Sequence, residues 1–249
     1  MANKRILLNC DLGEGLGPWR MGNDAEIMPY IDCANVACGF HAGDPLIMQQ
    51  TVAMALKHKV LVGAHPAYPD LLGFGRRSMA LSPAEVEATV LYQIAALDGF
   101  CRAENSKIAY VKPHGALYHD MLQNDATFKA ILRAVKTFDS SLPLVILAQE
   151  NVVHWQALAA EFGVKLWFEA FADRAYTDSG ALVSRSEPGS VIHNAAAMKA
   201  QALQLARSGT VTSVSGKVIT LQVDTLCVHG DTPEALAAVQ SIRSSKEFS

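Results

Sequence analysis

The chain has 249 residues, half of them hydrophobic, enough to bury a substantial core and matched to one α/β barrel-type domain spanning residues 1–249. Charged residues make up 18% and the net charge is −3, so bulk charge offers no surface for nucleic acid or an anionic membrane, and an anionic substrate must be held locally. Met1-Ala2-Asn3-Lys4-Arg5 leads into an apolar segment too short for a signal-peptide core, and no later stretch approaches the roughly 18 apolar residues of a membrane helix; a cytoplasmic protein is expected.

In chain order, buried strands are expected at Ile6–Cys10, Ala34–Cys38, Val60–Gly63, Ile108–Val111, Leu144–Leu147, Val164–Phe168 and Val218–Val228, each a short apolar run rather than an alternating one. Helical patterns lie between most of them. Asp44-Pro45 sets a cap before a proline, Ser82-Pro83 with Glu85 forms a capping box, and Thr232-Pro233 repeats the cap-and-proline device. The alternation predicts parallel βα units with the helices outside, and seven strand candidates favour a closed barrel over a doubly wound open sheet. Thr210–Leu221, with Ser215-Gly216 between two β-rich runs, reads as a hairpin inserted before the last strand, and the tail Ser244–Ser249 reads as frayed. Cys10, Cys33, Cys38, Cys101 and Cys227 are odd in number and lack a CxxC pair, so free, mostly buried thiols are expected.

Nearly every polar cluster follows a strand and precedes a helix, and in βα folds such positions share one rim, where active sites sit. The first, Asn9 to Gly17, joins glycines at 13, 15 and 17 to Asp11 and Glu14; it suits a ligand, or a tight turn with solvated acids, and the chain contains no P-loop. The second, Ala34 to Pro45, carries Asn35 and places His41 ahead of a helix amino end, as a base or a metal ligand, with Asp44 more naturally the cap. The third ends a strand on His65 and continues to Arg76 and Arg77, which suit a carboxylate or phosphate. The fourth, Val111 to Tyr118, puts Lys112 at the end of an apolar strand, where it needs a partner, and adds His114. The fifth starts at Glu169 and includes Asp173 and Arg174; the sixth carries His229. His58, His119, His154 and His193 lack this setting and read as ordinary histidines.

The segments Asp11–Gly17, Ala34–Pro45, Gly63–Arg77, Val111–Tyr118, Glu169–Tyr176 and Thr225–Pro233 together resemble the LamB/YcsF family, the A subunits of the prokaryotic ATP-dependent 5-oxoprolinase, over nearly the whole chain. The resemblance implies a distorted seven-stranded parallel β/α (TIM-like) barrel of the glycoside hydrolase/deacetylase type. It also implies opening of 5-oxo-L-proline to L-glutamate, with ATP as co-substrate and subunits B and C as partners. The nucleotide would lie against Gly13–Gly17 and Arg76, or largely on a partner. For that reaction the expected catalytic set is Asp11, Glu14, His41, His65, Lys112 and His114, with Asn35, Arg76, Arg77, Asp173, Arg174 and His229 binding substrate. The deacetylase-like fold implies Asp11, His41, His65 and His114 as ligands of a divalent metal, although substrate-bonding histidines look the same in sequence. The alternatives are a stand-alone metal-dependent deacetylase or amidohydrolase, and a non-catalytic lactam-binding subunit.

Overall fold

The computed structural model describes residues 5–229 and 233–248. In chain order the elements are β1 (Leu7–Leu12), α1 (Asp24–Ile27) with a 3-10 turn at Met28–Tyr30, β2 (Cys33–Ala37), α2 (Pro45–Lys57), β3 (Leu61–His65) and α3 (Pro83–Ala103). There follow β4 (Tyr110–Val111), α4 (Gly115–Asp120), α5 (Asp125–Asp139), β5 (Leu144–Leu147), α6 (Val153–Phe162) and β6 (Leu166–Phe171). The chain ends with α7 (Ala195–Ser208), β7 (Thr210–Thr212), β8 (Val218–Thr220), β9 (Thr225–Cys227) and α8 (Pro233–Arg243). Among the described residues, seven parallel strands close a barrel in the order β1-β2-β3-β4-β5-β6-β9, with β9 pairing both β6 and β1.

The run Val218–Val228 is therefore not one strand. Its first third pairs antiparallel with β7 outside the barrel, and only Thr225–Cys227 enters it. Asp224 marks the switch: its carboxylate accepts from Phe168 N at 2.9 Å, and its carbonyl accepts from Leu7 N at 3.1 Å, so it ties the incoming chain to both neighbouring strands. The tail is not frayed either as far as Phe248. Phe248 is fully buried, and its carbonyl accepts from Arg243 Nη1 at 2.7 Å and Arg5 Nη2 at 3.1 Å. Helix starts follow the sequence devices: Asp44 accepts from Leu46 N and Ile47 N, and Ser82 with Glu85 forms the capping box. The cap expected at Thr232 lies outside the described residues.

The barrel interior is filled in layers. Cys33, Tyr110 and Val145 pack at the bottom against Leu7 and Trp167. Above them Asn9 bonds to Thr225 at 2.7 Å, Asn35 to Asn9 at 2.7 Å, and the Tyr110 hydroxyl to Asn35 at 2.6 Å. Gly63 makes the room, since a Cβ there would land inside the Tyr110 ring. Strand residues alternate in direction, so the next inward positions are Asp11, His65, Lys112, Glu169 and Cys227, with Phe171 and His229 one step further on. No described helix is long and apolar enough to cross a membrane.

Candidate active site

Lys112 is the centre of the upper layer. It is buried, with Nζ 3.0 Å from Asp11 Oδ1, 2.8 Å from Glu169 Oε1, 3.2 Å from Asn9 Oδ1 and 3.4 Å from Cys227 Sγ. Burial opposes its charge, but Asp11 and Glu169 outweigh it and hold the ammonium well above its ordinary pKa. The effect on Asp11 is reciprocal: burial works against ionisation, and Lys112 and His65 overcome it, keeping the carboxylate well below its usual range. Glu14 lacks such a cation, and burial together with the negative Asp11 pushes its carboxyl up to about 7.

Three imidazoles stand beside these acids. His65 Nδ1 donates to the Lys112 carbonyl at 2.7 Å, and His114 Nε2 donates to the Phe74 carbonyl at 2.9 Å. The two rings face each other edge to face, with His65 Nε2 and His114 Nδ1 3.0 Å apart. His41 stacks on His114, centroids 3.8 Å apart, and its Nε2 lies 3.1 Å from Glu14 Oε1. Burial, then the neighbouring imidazoles, push His41 and His114 well below the ordinary histidine pKa. Glu14, His41, His65 and His114 offer donor atoms all within 4.8 Å of one another, so the carboxylate that joins the three histidines is Glu14 rather than the expected Asp11. Asp11, Cys227 and His229 also converge, but burial holds the Cys227 thiol well above its ordinary pKa.

Across the floor, His229 Nδ1 donates to Asp173 Oδ2 at 2.6 Å and its Nε2 lies 4.0 Å from Asp11 Oδ2. Burial disfavours charge on both partners, but their mutual attraction wins, raising the His229 pKa and lowering that of Asp173. The sign of the linkage follows. The His229 contribution is fully present below the unfolded value near 6.5 and fades as pH rises through the raised folded value, whereas the Asp173 contribution is lost only in acid, below 3.8. Asp173→Asn is thus expected to destabilise the chain more at pH 6 than at pH 9; equal losses in thermal melts at the two pH values would contradict the pairing.

These groups open into a cavity of about 490 Å³ lined by Asp11, Glu14, His65, Lys112, His114 and His229, together with Phe171, Arg76, Arg174 and Arg185. Such a volume suits a small ligand with room to spare. Arg174 lines it while bracing the loop after β6 through Ser190 O and Val183 O. Several expected residues sit elsewhere. Arg77 points out and pairs with Asp70, whose carboxylate also caps the turn at Gly73. Asn35 lies one layer below, bonded to Asn9, Asp11 and Tyr110; Asp173 is behind His229; and His41 is behind His114. The glycine loop offers no phosphate cradle at its ends, since Gly13 N donates to Asp24 at 2.8 Å and Gly17 N to Asp44 at 2.7 Å.

Sequence reasoning overlooked Arg185, which lies in the long segment between β6 and α7 and reaches His229 Nε2 at 3.2 Å; no strand end or glycine flags it. It gave Glu169 no role, although a charge at an apolar strand end was a usable signal. His119, read as ordinary, lines the cavity mouth.

The sequence pattern of the LamB/YcsF family matches residues 6–248. The chain is 58% identical over 239 residues to a Chromohalobacter salexigens protein described as a 5-oxoprolinase A subunit, covering 96% of each. It is 56% identical to a Pseudomonas fluorescens protein of the same description, covering 97% of this chain and 96% of the other. Among solved structures, a lactam utilization protein from Thermus thermophilus superposes with a TM-score of 0.89 at 44% identity, covering 96% of this chain and 94% of that one.

Proposed function

The chain belongs to the LamB/YcsF family, and from that membership we propose that it is the lactam-opening subunit of an enzyme that converts 5-oxo-L-proline to L-glutamate, with ATP as co-substrate and subunits B and C as partners. The observation that carries this reading is a carboxylate and an imidazole of opposite tendency in one cavity: Asp11, 3.0 Å from Lys112 Nζ, is held ionised, and His229, with Nε2 4.0 Å from Asp11 Oδ2, is held toward its protonated form. Separated pKa values of this kind mark a base and an acid.

A lactam resists water because nitrogen donates into the carbonyl. A phosphoryl group passed from ATP to the amide oxygen removes that protection. Water then adds to the ring carbon and gives its proton to Asp11, the C–N bond breaks, and the nitrogen takes a proton from His229. The acyl phosphate so formed is hydrolysed by a second water to glutamate and phosphate, which balances the reaction at one ATP per lactam. Lys112 neutralises charge near Asp11 throughout. Arg76 and Arg185, which line the same cavity as Asp11, would hold the substrate carboxylate and the phosphate. Nucleotide binding on a partner is supported by the engagement of the Gly13 and Gly17 amides by Asp24 and Asp44.

The test is 5-oxoproline-dependent phosphate release with this chain alone and then with subunits B and C. Release only in the full mixture, with glutamate formed one for one, is the expected result. ATP-independent lactam or amide hydrolysis by the isolated chain would favour a stand-alone amidohydrolase, and turnover by B and C without this chain would reduce it to a binding role.

A further inference from the structure

The two rings at the centre of the cavity wall present a conflict that protons on neutral imidazoles do not resolve. The Lys112 and Phe74 carbonyls can only accept, so His65 carries its hydrogen on Nδ1 and His114 on Nε2. With both rings neutral, the nitrogens left over, His65 Nε2 and His114 Nδ1, are both lone pairs, and they face each other across 3.0 Å. When the carboxyls are ionised, the oxygens beside them accept as well: Glu14 Oε1 is 3.6 Å from His114 Nδ1, and Asp11 Oδ2 is 3.4 Å from His65 Nε2. Electron-rich oxygens thus crowd both facing nitrogens.

We propose that Glu14 Oε1, His65 Nε2 and His114 Nδ1 form an open binding site for a Zn²⁺-class divalent ion, with the remaining position facing the cavity beside Asp11. Tetrahedral zinc with bonds of about 2.0–2.1 Å needs donor atoms about 3.3 Å apart, and the 3.0 and 3.6 Å separations bracket that value. Each histidine already donates its other N–H to a backbone carbonyl, the arrangement that fixes the tautomer of metal-binding imidazoles. Two histidines and one glutamate suit zinc or cobalt over calcium or magnesium. All three donors line the cavity.

His41 is not a ligand in this arrangement. Its ring lies parallel to that of His114, 8° apart, so its in-plane lone pairs run beside the point at which His114 aims rather than toward it. It is a positioning residue that donates Nε2–H to Glu14 Oε1 at 3.1 Å. A bound ion would supply a water of lowered pKa next to Asp11.

The site stands or falls without reference to lactam chemistry, so its test uses the isolated full-length chain. Chelator-treated protein is titrated with Zn²⁺ by calorimetry and with Co²⁺ by visible absorption. One equivalent bound, with the ligand-field bands of four- or five-coordinate cobalt, is expected. Glu14→Gln and His65→Asn should abolish the bands while circular dichroism stays native, and His41→Gln should keep one-to-one binding with affinity reduced about 10–100-fold. If one variant fails to fold, the other carries the test. Failure of the wild-type chain to bind one equivalent, or unchanged bands in a folded Glu14→Gln or His65→Asn, would overturn the proposal. Loss of binding in His41→Gln would overturn its exclusion as a ligand.

Discussion

Lys112→Met is expected to lower stability by about 3–5 kcal/mol, because it strands the Asp11 and Glu169 carboxylates in the barrel interior without a cation. Lys112 is 3% exposed and Glu169 is fully buried, so water cannot substitute. A domain with a total stability of about 5–15 kcal/mol survives such a loss only narrowly. Denaturant unfolding of the variant measures it. The double variant Lys112→Met with Glu169→Gln removes one of the stranded charges and should regain much of the lost stability, so the two losses will not add. Activity should not return, since Asp11 still lacks its cation. Additive losses in the double variant would mean that Lys112 and Glu169 are not a pair.

Asp11→Asn should lower kcat by about 10²–10⁴-fold in the reconstituted complex, the span that general acid–base groups contribute, with KM changed little. The substitution keeps the shape of the side chain and its bond to Asn35, while removing the acceptor of the water proton and the charge opposite Lys112. Steady-state glutamate formation by matched wild-type and variant complexes measures the effect. A kcat within tenfold of wild type would remove Asp11 as the base and move the assignment to Glu14.

The two variants separate two roles that meet at one carboxylate. On the proposed function, Lys112 serves the folding of the barrel around charged groups, and Asp11 serves their use in the reaction. A large stability loss in Asp11→Asn would show that the two roles are not separable.

The sequence by itself determined the barrel and its chemical rim. Short, fully apolar strands such as Leu144–Leu147 need cover on both faces, and the polar clusters at the strand ends collect where the barrel opens. Pattern also carried the caps at Asp44 and Ser82, because a cap is a contact between residues two or three apart. The tertiary structure alone decided depth and facing. Whether a strand-end residue enters the cavity depends on the exact strand limits, and β1 runs on to Leu12, placing Asp11 inside the barrel rather than in the loop after it. Arg76 reaches the cavity and Arg77 does not, though they are neighbours, and Arg185 arrives from a loop with no local mark. Glu14 converges with all three histidines while Asp11 meets His65, and the facing nitrogens of His65 and His114 lie 3.0 Å apart. Those facts rest on backbone carbonyls of Lys112 and Phe74, distant along the chain from the histidines they orient, and no spacing in the sequence encodes them.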